Sequence, residues 1–190
     1  MGYNIIIELE EFKMDLVIVD CQNDFIDETM SCKNANEAVD NIVKSLEGDI
    51  NVYYTSDFHP NNHISFEDFG GLWPSHCVEG TWGAEIHEKF HETKFKPNNE
   101  NTFFKGRNPK EEEYSGFRAR NGIDQMLKDV VGEKVYLAGI ASEYCVRETA
   151  LEFLKDGKEV VILKDMLGYV DEDDHEKNLE DLKEKGITIQ

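Results

Sequence analysis

Asp15-Leu16-Val17-Ile18-Val19-Asp20 is an unbroken apolar run closed at each end by a carboxylate. Without polar residues alternating along it, the run fits a strand covered on both faces. Similar runs recur at 50–55, 134–140 and 159–163, with a weaker one at 187–189. Between them, residues 35–46, 122–131, 143–155 and 173–185 place apolar side chains at helical spacing. Strands alternating with helices call for right-handed crossovers, so the expected class is α/β: one domain built on a mostly parallel sheet with helices on both faces. Ligands in such sheets gather beyond the carboxyl ends of the strands. Asp20, Asp57 and Cys145 each fall at or just after the end of a predicted strand, so one sheet edge can bring them together.

The chain has 190 residues, enough for one sizeable core. Residues 14–190 are expected to form the domain and residues 1–13 an N-terminal extension, with Met14 an alternative start and a strand over 5–9 left open. No stretch approaches the roughly 18 apolar residues of a membrane span, and the N-terminus lacks a basic signal-peptide start; the expectation is a cytoplasmic protein. Cys21, Cys32, Cys77 and Cys145 show no C-x-x-C spacing, which argues against a disulfide framework or a thiolate zinc site. A formal charge of -20 argues against nucleic acid and anionic membranes as partners. The dense acidic run 171–176 opens a predicted helix, where carboxylates favour the first turn.

Cys145 lies where Gly139-Ile140-Ala141-Ser142-Glu143-Tyr144-Cys145-Val146-Arg147 passes from a strand-like to a helix-like pattern. Unpaired N–H groups and the helix dipole favour a thiolate there, and the same N–H groups can steady an oxyanion. Taken alone, such a cysteine is more readily a small buried residue at a turn. The long irregular segment 57–83 offers Asp57, His59, His63 and His76, hard oxygen and borderline nitrogen donors that suit zinc, iron or manganese. Asp20 closes the first strand as a candidate base, and Lys105 follows a predicted strand at Thr102-Phe103-Phe104. The sequence His87-Glu88-Lys89-Phe90-His91 matches the H-E-x-x-H of zinc peptidases. Its segment is short and runs into Pro97 with no third ligand on a following helix, so a solvated helix face is the expectation.

Together, Val19-Asp20-Cys21-Gln22-Asn23-Asp24-Phe25, Asp57-Phe58-His59-Pro60, Asn62-His63-Ile64-Ser65-Phe66, Trp73-Pro74-Ser75-His76-Cys77, Phe104-Lys105-Gly106, Tyr114-Ser115-Gly116-Phe117 and the stretch around Cys145 resemble the nicotinamidases, the metal-containing branch of the isochorismatase-like cysteine hydrolases. The resemblance implies that family's fold and the hydrolysis of nicotinamide to nicotinate and ammonia through a thioester. It also implies activity on pyrazinamide and a role in NAD salvage. It assigns Asp20, Lys105 and Cys145 to catalysis and Asp57, His59 and His76 to one divalent metal, with zinc favoured over iron or manganese and no organic cofactor. It further implies a cis peptide between Ile140 and Ala141 that aims the Ala141 N–H, with that of Cys145, at the oxyanion. Phe25, Trp73 and Tyr114 would surround the pyridine ring. His63 would support the ligands or join them as a fourth, and the charged stretch 107–113 would shape access to the pocket. Oligomeric state stays open. The alternatives are a related amidase acting on another small carboxamide, and a non-catalytic protein that binds nicotinamide or metal.

Overall fold

The computed structural model describes residues 13–28 and 30–190, so the expected extension, with its possible strand at 5–9, lies almost wholly outside the described residues. Strand β1 (Met14–Val19) forms where the opening run predicts it. Leu16 and Ile18 enter one apolar cluster while Val17 and Val19 enter another, which is the period-two alternation of a strand with a core on each face. Strands β2 (Ile50–Asp57), β3 (Thr102–Lys105), β4 (Lys134–Gly139), β5 (Glu159–Leu167) and β6 (Thr188–Ile189) join it in the order β3-β2-β1-β4-β5-β6. All five pairings are parallel.

Helix α1 (Asn23–Ile26) is one buried turn, and α2 (Ala35–Ser45) seats Ala35, Val39 and Ile42 on the cluster that holds Leu16. Helices α3 (Glu88–His91) and α4 (Leu127–Val130) are again single turns. On the opposite face α5 (Arg147–Lys155) contributes Ala150 and Phe153, and α6 (Glu172–Glu184) contributes Leu179 and Leu182. The sheet is therefore covered on both sides, as the buried strands require. Asp171 caps α6, accepting from the N–H groups of Asp173 (3.0 Å) and Asp174 (3.2 Å), so the acidic run does open a helix. No helix among the described residues is long and apolar enough to cross a membrane.

The helix expected over 122–131 survives only as α4. The Asn121 side-chain oxygen accepts from the N–H groups of Ile123 (3.2 Å) and Gln125 (2.9 Å), and Asp124 takes a left-handed φ of 65°. A local side-chain bond of this kind offers the backbone an alternative to a helix. Strand β5 runs four residues further than its apolar core, through exposed Lys164 and Asp165 and half-buried Met166 to Leu167.

Strand order reverses between β1 and β4, which makes the crevice beyond their carboxyl ends the expected ligand site. The two strands approach closely there. A Cβ on Gly139, whose φ is 118°, would lie 2.1 Å from the Val19 carbonyl oxygen.

Candidate active site

Three strand ends deliver the charged groups. Asp57 and Lys105 are register partners at the ends of β2 and β3, and Asp20 follows β1 with φ 46°, a conformation aspartate tolerates. Cys145 lies in a single π turn, Ser142–Val146, between β4 and α5. Lys105 Nζ is 2.9 Å from Asp20 Oδ2, 2.5 Å from Asp57 Oδ1 and 3.5 Å from Cys145 Sγ. All four residues are buried. The second Asp20 oxygen accepts from the Thr55 hydroxyl (2.6 Å).

Burial pushes the Cys145 thiol well above its ordinary range and raises the Asp20 carboxyl as well. Burial also works against the Lys105 ammonium, but Asp20 and Asp57 outweigh it and hold the lysine well above its usual value. Asp57 is held below the carboxylate range because Lys105 and His59 overcome the same burial. A fixed cation thus lies beside a thiol and a carboxyl group whose proton affinities burial raises, and it favours the charged form of either.

Asp57, His59 and His76 each offer a ligand atom, all within 4.8 Å of one another. His59 Nδ1 lies 2.9 Å from the Gly106 carbonyl oxygen and His76 Nδ1 lies 2.7 Å from that of Pro74. Each carbonyl fixes a tautomer that leaves Nε2 as the lone-pair donor, the usual support of a metal-bound imidazole. Gly106 has φ 69°, and a Cβ there would come within 2.3 Å of His59 Cε1. His63 is stacked on His59 at 4.1 Å, with Nδ1 on Ser65 Oγ (2.7 Å) and Nε2 on the Glu111 carbonyl (3.0 Å). Both its nitrogens are engaged, and it lies outside the ligand group.

His87 and His91 take no part in any such group among the described residues. His87 is buried, not solvated: it precedes α3 as its cap and accepts from the Lys89 N–H, while His91 is exposed. A capping residue is not helical, so the two rings do not share the one-turn spacing that the peptidase pattern needs.

Phe25, Trp73, Tyr114 and Ala141 wall a pocket with about 430 Å³ of empty space that opens onto Cys145, Asp57 and His76. Trp73 Nε1 donates to the Tyr114 hydroxyl (2.9 Å), which locks two of the aromatic walls together. The Ile140–Ala141 peptide is cis, and among the described residues no backbone acceptor takes the Ala141 N–H.

Sequence reasoning passed over Met30, Cys32, Tyr144 and Val170, which with Glu112 complete the lining. Glu112 falls in the charged stretch expected to shape access. It also missed Gln22, which donates to the carbonyls of Asp57 and Ala84 (2.8 Å each) and accepts from the Asp57 N–H (2.8 Å). Asp24 similarly accepts from the Cys77 N–H (2.6 Å). A polar run following a buried strand was the signal, but nothing local names the partners.

The doubly wound parallel α/β domain thus gathers a thiol, a lysine and two carboxylates, all buried, at its switch point. The chain belongs to the isochorismatase family, whose Isochorismatase domain matches residues 15–190. It is similar to a nicotinamidase of Schizosaccharomyces pombe, 31% identical over 94% of this chain and 93% of that protein. Among solved structures it is similar to the pyrazinamidase of Pyrococcus horikoshii in complex with zinc, with a TM-score of 0.81 and 34% identity over 94% of this chain and 98% of that one. It is likewise similar to PnC1 of L. infantum in complex with nicotinate, with a TM-score of 0.83 and 31% identity over 94% and 92% of the two chains.

Proposed function

We propose that this protein is a nicotinamidase, hydrolysing nicotinamide to nicotinate and ammonia and accepting pyrazinamide as well. The observation that carries the reading is Cys145 Sγ, 3.5 Å from a buried ammonium that also holds Asp20, at the floor of a pocket walled by aromatic rings. Asp20 takes the thiol proton while Lys105 steadies the charges that form. The sulfur attacks the carboxamide carbon, and the Ala141 and Cys145 N–H groups receive the oxyanion. Asp20 returns its proton to the departing ammonia, leaving a nicotinoyl thioester on Cys145. It then takes a proton from water, which cleaves the thioester and releases nicotinate and the thiol.

Asp57, His59 and His76 fit a divalent ion, and one carboxylate with two imidazoles makes zinc the metal we favour. Bound there, it would supply a ligand site for the pyridine nitrogen and so orient the ring. His63 buttresses His59 from outside the ligand set. We assign the protein to the cytoplasm and to NAD salvage.

Hydroxylamine added during turnover tests the covalent step, because it competes with water for a thioester. Nicotinohydroxamate should accumulate while ammonia release continues. Ammonia release without hydroxamate at any hydroxylamine concentration would reject an acyl-enzyme.

A further inference from the structure

Cys145 is carried by the single π turn Ser142–Val146. A single π turn has few internal hydrogen bonds of its own, yet the thiol must be held in register with Lys105 and Asp20. Its first residue, Ser142, is wholly buried, and both of its polar ends are taken by α6. The Ser142 hydroxyl lies 2.6 Å from His175 Nδ1. Asn178 Nδ2 donates to the Ser142 carbonyl (2.8 Å) and to its hydroxyl oxygen (3.3 Å). Asn178 fills one lone pair of the hydroxyl, and the tautomer of His175 sets the direction of the bond between the hydroxyl and Nδ1.

The first residue of α5, directly after the turn, is tied to the same helix. Arg147 donates through Nη1 to Asn178 Oδ1 (2.6 Å) and through Nη2 to Asp181 Oδ2 (2.6 Å). The His175 ring is itself fixed by stacking on Tyr169 at 4.5 Å and 18°. Leu179 and Leu182 already bury the apolar face of α6, so attaching the helix does not require these polar contacts. Their effect falls on the residue that follows Ala141 and opens the thiol's turn. None of Ser142, His175 and Asn178 lines the pocket.

We propose that Ser142, His175 and Asn178 form a polar clamp by which α6 positions Cys145 and its N–H for attack. They are positioning residues and touch no substrate. The consequence for amide turnover rests on the nicotinamidase reading; the consequence for the thiol's surroundings does not.

The test compares wild type with Ser142→Ala, His175→Leu and His175→Asn, the last retaining a side-chain nitrogen near the place of Nδ1. Two quantities are read on each: steady-state ammonia release from nicotinamide, and the pH midpoint for alkylation of Cys145 by iodoacetamide, followed by mass on the Cys145 peptide. Thermal melts set the working temperature below every transition. Ser142→Ala and His175→Leu should lower kcat about tenfold or more with KM little changed. They should also move the alkylation midpoint by about half a pH unit or more, in either direction. His175→Asn should recover much of both.

Lowered melting temperatures with kcat and midpoint at wild-type values would overturn the clamp and leave plain structural contacts. If the wild type releases no ammonia, the nicotinamidase reading fails, and the alkylation midpoint alone decides the clamp.

Discussion

Lys105 is the residue on which the site's electrostatics turn, because Asp20 and Asp57 share its ammonium in a buried space. Lys105→Met should abolish turnover and cost about 3 kcal/mol at neutral pH, since carboxylates are left buried without a counter-charge. That deficit should shrink as pH falls and the carboxylates take up protons, which chemical denaturation at several pH values would show. Asp20→Asn removes the proton carrier but leaves the packing, so kcat should fall by roughly 10²- to 10⁴-fold with little loss of stability. The types and positions of these residues were legible in the sequence, because strand ends in a parallel sheet point to one edge. Their supports were not. Gln22 reaches the Asp57 backbone 35 positions away, and only the pairing of β1 with β2 brings the two together.

Among the elements, β1 and β4 set the geometry of the switch point through Gly139, where a methyl group would meet backbone atoms that cannot give way. Gly139→Ala should cost upwards of about 3 kcal/mol, lowering the thermal midpoint by roughly 6–12 °C. Helix α6 carries a pH dependence of its own. Burial lowers the His175 pKa below its usual 6.5, so the folded protein holds this ring neutral while the unfolded chain protonates it. The stability this gives is full above pH 6.5 and is lost as pH falls from there through the folded value. Melts across that window should show the loss, and His175→Asn should flatten its share. Apolar runs made the strands and the three longer helices, α2, α5 and α6, legible. The segment around Asn121 misled, because a polar side chain bonding to backbone two and four residues on is invisible to hydrophobic periodicity.

The whole molecule joins a doubly wound sheet, a buried Asp–Lys–Cys cluster and a three-residue group that fits a metal ion at one crevice. Dialysis against a chelator should raise KM for nicotinamide about tenfold or more. It should also lower the thermal midpoint, because an ion held only by the folded chain stabilises it. Zinc should restore both. The measurement that decides the account most directly is ammonia release from nicotinamide by the metal-replete wild type beside Cys145→Ala, with nicotinamide binding measured on each. The account predicts turnover by the wild type alone and binding by both. Turnover by Cys145→Ala at the wild-type rate, or binding without turnover by the wild type, would contradict it.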